Sequence, residues 1–115
     1  MIKTAGMVLA LVFSSNALNA SELCPKYGEC VPADQFECQD VSRSSFITRV
    51  CYNEPGSYMI IRLDQTDYHY CSIGADDVSA LMSASSMGRH YNQNIKGDGS
   101  DGPFDCRSHP IPVFD

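Results

Sequence analysis

Three histidines, six cysteines and a scatter of aspartates are the residues of this 115-residue chain whose types could do chemistry. A hydrolase would join His69 or His90 to Ser86 and an aspartate, as nucleophile, base and orienting group. No G-x-S-x-G elbow surrounds Ser86, and nothing in the spacing brings His69 and His90 together. His109 stands apart in the C-terminal stretch. A zinc site is disfavoured because the gaps between Cys24, Cys30 and Cys38 contain no C-x-x-C knuckle. Asp98, Asp101 and Asp105 hint at calcium, but Ser100 and Gly102 fall where a calcium loop places ligands. The expectation is a chain with no catalytic residue, metal or cofactor, and an acidic turn at 98–105.

Recognition is the better-supported chemistry. Arg89, His90, Tyr91, Asn92 and Asn94 crowd one short stretch, and Tyr68 and Tyr70 lie on a nearby strand. Amides and guanidinium make directional hydrogen bonds while tyrosine supplies flat contact area, a mixture suited to a peptide, glycan or protein ligand. The expected ligand-binding set is Tyr68, Tyr70, Arg89, His90, Asn92 and Asn94. The same residues have a plainer use, with the asparagines capping backbone at a helix end and the tyrosines filling a core.

Compartment follows from the N-terminus and the cysteines. Residues 1–20 carry Lys3, an apolar run from Ala5 to Phe13 and then small residues, the layout of a signal peptide cleaved after Ala17 or Ala20. The run is too short to span a bilayer, so no membrane span is expected after cleavage. Cys24, Cys30, Cys38, Cys51, Cys71 and Cys106 all follow it. An even count in a short exported chain implies three disulfides and a periplasmic or secreted location. The formal charge of −6 becomes more negative when Lys3 is removed, and such acidity makes nucleic acid an unlikely partner.

The elements that must position these residues are short. Residues 21–43 show no sustained period and read as an irregular cysteine-containing arm. Three cysteines cannot pair among themselves, so full bridging requires at least one bond from arm to body. FITRVCY (46–52), SYMIIRL (57–63) and YHYCSI (68–73) read as three strands of an antiparallel meander, with a type II turn at NEPG and a four-residue turn at DQTD.

Four-residue loops would set Val50 opposite Met59 and Ile61 opposite Tyr70. One face then holds Phe46, Val50, Met59, Ile61, Leu63, Tyr68 and Tyr70. The other holds Ile47, Cys51, Tyr58, Ile60, Cys71 and Ile73, with Arg49, Arg62 and His69. A sheet apolar on both sides needs cover on both, helices on the first and the arm and tail on the second. Cys51 and Cys71 would lie two strands apart, about 9 to 10 Å at ~4.8 Å per strand, beyond disulfide reach. Each should bond the arm or Cys106.

Asp76 or Asp77 can cap a first helix carrying Val78, Leu81 and Met82 at helical spacing. Ser85 or Ser86 can cap a second, in which Met87, Tyr91 and Ile95 form one narrow stripe. Gly88 then permits a bend or a close approach to the sheet, and Gly97 suits a helix stop. Residues 98–115 read as an extended tail stapled through Cys106. The fold class is therefore α+β: a three-stranded meander, one or two short helices, and a tethered arm and tail.

Residues 44–97 resemble the KTSC domain, a short module found alone in many bacterial proteins and at the C-terminus of some lysyl-tRNA synthetases. The resemblance rests on Ser45, Phe46 and Ile47, on the pair Tyr68 and Tyr70, and on the spacing of Ala84, Ser86, Gly88, Asn92 and Ile95. Where the module usually has Val-Pro after its third strand, this chain has Ile73 and Gly74. The resemblance implies a strand-strand-strand-helix module with no established catalytic activity. The expected function is thus a small exported, disulfide-stabilised, non-catalytic binding module. The competing expectations are an exported hydrolase using His90 or His69, and an RNA-binding module using Arg89, Lys96 and the tyrosines.

Overall fold

The computed structural model describes residues 22–97 and 102–114. The expected signal peptide, its cleavage at Ala17 or Ala20, and Asp98 and Asp101 of the acidic turn lie outside the described residues. The chain is α+β. A two-stranded ladder pairs β1 (Glu22–Leu23) with β2 (Val31–Pro32), and a short 3₁₀ turn (Ala33–Gln35) follows. The main sheet has β3 (Glu37–Asp40), β4 (Ile47–Asn53), β5 (Tyr58–Leu63) and β6 (Thr66–Tyr70) in chain order, all antiparallel. Helices α1 (Ala75–Ser83) and α2 (Met87–His90) come next, and α2 runs on through a wider π-type turn at Tyr91–Ile95.

The expected three-stranded meander is therefore corrected to a four-stranded sheet. The arm is not wholly irregular, because Glu37–Asp40 pairs along β4 with Cys38 opposite Cys51. All four residues of β3 are exposed, so no buried alternation marked the strand in the sequence.

Both hairpin registers differ from expectation by two residues. Val50 faces Ile61 and Tyr52 faces Met59, across a loop of Glu54, Pro55, Gly56 and Ser57. The turn closes from Ser57 N–H to Glu54 C=O at 3.1 Å, and the left-handed φ falls on Ser57 (50°), not on Gly56, so the expected type II turn does not form. The Asn53 side chain accounts for the displacement: its Oδ1 accepts the Gly56 N–H at 2.7 Å and its Nδ2 donates to Gln35 C=O at 2.7 Å. At the second turn only Asp64 and Gln65 form the loop, Asp64 taking φ 55°, while Thr66 and Asp67 join β6.

A shift of two leaves every residue on its original face, since side chains alternate with period 2. Val50, Met59, Ile61, Leu63, Tyr68 and Tyr70 accordingly meet the helices on one side. Cys51, Tyr58, Ile60 and Cys71 meet Leu23, Val31, Phe36 and the tail's Phe114 on the other. Two residues depart from their expected face. Ile47 joins the helix side because the pairing is irregular between Ile47 and Arg49, which rephases the strand. Ile73 does so because it lies beyond β6, after Ser72 with φ 54°.

Three disulfides, Cys24–Cys30, Cys38–Cys51 and Cys71–Cys106, use every cysteine. Cys51 and Cys71 are not joined to each other; one reaches the arm and the other the tail. Gly74, rather than Asp76 or Asp77, is the N-cap of α1, and Asp77 reaches back so that its carboxylate accepts the Gly74 N–H at 3.1 Å. Ser86 caps α2, accepting the Arg89 N–H at 3.3 Å. Met87, Tyr91 and Ile95 are all buried. Gly88 lies against Phe46, where a Cβ would stand 2.6 Å from the ring. Among the described residues no helix is long and apolar enough to cross a membrane.

Candidate functional site

β6 is an edge strand, and the elements around it enclose a hollow of about 1070 Å³. Tyr68, His69 and Tyr70 all line it. Successive residues of a strand point to opposite faces, so a hollow reached by three in a row runs along the edge itself. The helical segment contributes Tyr91, Asn92 and Lys96, the arm Tyr27, and the tail Asp105, Arg107 and Ile111. Tyr27 and Ile111 are 73% and 50% exposed, and both open onto this hollow.

Tyr68, Tyr70 and Asn92, from the expected binding set, are brought together here. Arg89, His90 and Asn94 do not line the hollow. Helical periodicity separates them: with Met87, Tyr91 and Ile95 buried, Asn92 and Lys96 flank the buried stripe on the β6 side. The Asn94 amide donates to His90 C=O at 3.2 Å and lies 3.3 Å from His90 Nδ1, so it serves its own helix. Tyr70 and Tyr91 share a hydroxyl–hydroxyl hydrogen bond with rings edge to face. Burial raises both phenols above the ordinary tyrosine value, Tyr70 strongly, so the pair stays protonated and one hydroxyl donates to the other.

His69 projects to the opposite face from Tyr68 and Tyr70, where the Tyr58 hydroxyl lies 2.8 Å from its Nδ1. Burial lowers its pKa below the usual imidazole value, with Asp105 acting weakly the other way. Burial also raises the Tyr58 phenol to about 12. Gly28 allows the arm to pass over this histidine, since a Cβ there would stand 2.7 Å from the ring. Asp105 is held to about 2, chiefly by the Arg107 guanidinium (Nη2 to Oδ2, 2.6 Å) and then by the Arg107 backbone N–H. His109 Nε2 sits 2.9 Å from Pro103 C=O, far in role from the other histidines.

Tyr27 and Ile111 were not legible as site residues. The one available signal was an aromatic residue inside the short Cys24–Cys30 loop, where a bridge leaves little room to bury it. Lys26 places its ammonium 5.4 Å from the centre of the Tyr27 ring. Among the described residues one group of potential metal ligands lies close together, Glu22 with Cys24 and Cys30, and its two sulfurs are bonded to each other.

A second hollow of about 300 Å³ lies between α1 and the opposite half of the sheet, over Val50, Tyr52, Val78 and Met82, with Glu37 and Glu54 at its rim. At the far end of the second face Asp67 accepts from both Arg49 (3.0 Å) and Arg62 (3.0 Å).

The sequence profile of the KTSC domain matches residues 43–98. The crystal structure of a KTSC domain protein from Yersinia pestis is similar at 31% identity and a TM-score of 0.50, over 55% of this chain and 89% of that one. No curated protein matches the chain. All three strands of the arm, the Cys24–Cys30 loop and most of the tail lie outside the matched residues.

Proposed function

The chain belongs to the KTSC domain family, and from that premise we propose that it is a small exported, non-catalytic binding module that receives a ligand in the hollow beside Tyr68 and Tyr70. The carrying observation is the meeting of Tyr68, Tyr70 and Asn92 with two exposed apolar side chains, Tyr27 and Ile111, in one concavity. Aromatic walls with a few directed polar groups are the usual make-up of a recognition site. Arm and tail, which extend beyond the family domain, supply part of its lining, so segments outside that domain shape what it accepts. Three disulfides are compatible with an oxidising compartment, which supports export through the N-terminal signal. The ligand class is peptide, glycan or protein; the acidic chain argues against RNA.

An exported hydrolase built on His69 or His90 is the competing reading. His69 Nδ1 is engaged by the Tyr58 hydroxyl and the ring is kept neutral by burial, a structural arrangement, while His90 lies outside the hollow.

Capture from the protein's own envelope or medium, compared between wild type and Asn92→Ala, Tyr68→Ala and Arg89→Ala, tests the site. The first two variants should lose the captured ligand with their circular dichroism unchanged, and Arg89→Ala should keep it. Unchanged capture by both Asn92→Ala and Tyr68→Ala removes the hollow as the site, and substrate turnover abolished by His90→Gln would install the enzyme in its place.

A further inference from the structure

The outer edge of β6 is a hydrogen-bonding ladder with its middle rung missing. Leu63 and Thr66 close a two-residue turn, so Leu63–Thr66, Ile61–Tyr68 and Met59–Tyr70 are the pairs that exchange hydrogen bonds with β5. The alternate residues Asp67, His69 and Cys71 must then turn their N–H and C=O groups away from the sheet. Two contacts agree with this phase independently. Asp67 C=O accepts the Lys26 N–H of the arm at 2.8 Å, and Cys71 N–H donates to Phe104 C=O of the tail at 2.8 Å. Between them His69 points the same way, and among the described residues no backbone group outside the ladder bonds to its N–H or C=O. The hollow passes this point, with His69 in its wall.

An unpaired N–H and C=O on one residue of an edge strand is the template for another chain's backbone. The opposite edge of the sheet is guarded differently, since β3 is short and carries Glu37 and Asp40. On β6 the arm and tail block the rungs on each side and leave one open.

We infer that this open rung takes the backbone of an extended peptide, with one ligand residue accepting from His69 N–H and donating to His69 C=O. The inference rests on the binding reading of the hollow and narrows its ligand to peptide. The blocked rungs are four residues apart, about 13 Å along the strand. The paired stretch is therefore about three residues long, and the ligand enters and leaves through the hollow instead of continuing as a strand. Tyr27, Tyr68 and Ile111 offer its flanking side chains apolar contact. The charged groups of the lining balance, Lys96 and Arg107 against Asp64 and Asp105, so the favoured peptide is neutral and apolar or aromatic beside the pairing residue.

The test uses residue-resolved amide hydrogen exchange on the mature disulfide-bonded protein and a seven-residue peptide selected on it from a displayed random library. In the free protein the His69 amide should exchange freely while those of Tyr68 and Tyr70 are protected. The peptide should slow His69 exchange at least tenfold. N-methylation at one peptide position should weaken binding about five- to tenfold, the worth of one net hydrogen bond. A His69 amide protected in the free protein would overturn the inference, as would protection that grows with protein concentration without peptide, which would mean a second copy on the edge. A peptide that needs Asn92 but leaves His69 exchange unchanged defeats strand addition and spares the hollow. Failure to select any peptide, with envelope capture still dependent on Asn92, defeats only the peptide assignment.

Discussion

Cys38 of β3 and Cys51 of β4 are direct register partners and are bonded through their sulfurs. The bridge therefore crosses neighbouring strands and fastens the edge contributed by the arm to the sheet of the family domain.

The three bridges close loops of unequal length, with sequence separations of 6, 13 and 35 for Cys24–Cys30, Cys38–Cys51 and Cys71–Cys106. Loop-closure entropy puts their losses at about 2, 3 and 4 kcal/mol in that order. Pairwise Cys→Ala variants compared by urea unfolding should follow this ranking. Burial of Cys51 and Cys71 adds a cavity cost to the last two. Removal of Cys24–Cys30 proving the most damaging would contradict the entropic account.

Gly88→Ala should destabilise, against helix propensity. Alanine gains about 1 kcal/mol over glycine in a helix, but the new methyl meets the Phe46 ring, and overpacking costs about 1 to 3 kcal/mol. Combining Gly88→Ala with Phe46→Leu should recover part of the loss. A rise in melting temperature for the single variant would show that the ring moves aside freely.

Acid should weaken the fold partly through His69. Its folded pKa lies below the ordinary 6.5, so between the two values the unfolded chain binds the proton and the folded one does not. The stabilising contribution is complete above about 6.5 and drains away as pH falls through the folded value. His69→Gln should flatten the stability-versus-pH profile below neutrality while the carboxylate-dependent part is retained. Parallel profiles for both proteins would refute the assignment.

Arg43 caps α1 from outside the helix, donating to Met82 C=O at 2.6 Å and Ala84 C=O at 2.8 Å. Arg43→Ala should cost about 1 kcal/mol, because those terminal carbonyls return to water and a charge favourable to the helix C-terminus is lost. Exposure keeps the effect modest. Equal stability of the variant in denaturant melts would show that solvent replaces the guanidinium fully.

Much of the fold was legible because period-2 alternation is tolerant: Val50, Met59, Ile61 and Tyr68 stayed on the helix side although both hairpin registers differed from expectation by two. Met87, Tyr91 and Ile95 were legible for the equivalent helical reason. Ile47 and Ile73 were not, because an irregular pairing and a left-handed Ser72 reset the phase locally without a sequence mark. Of the expected binding residues, helix geometry kept Asn92 beside Tyr68 and Tyr70 and carried Arg89, His90 and Asn94 elsewhere.

The sequence by itself determined the even set of cysteines, the two apolar sheet faces, the helix stripe and the resemblance to the KTSC domain, since each depends on residue type at short spacing. Only the tertiary structure decided that Cys38 takes Cys51, that the arm adds a strand, and that Tyr27 and Ile111 converge on the edge of β6. Those outcomes depend on where distant, aperiodic segments come to rest against a sheet, and no local pattern encodes that placement.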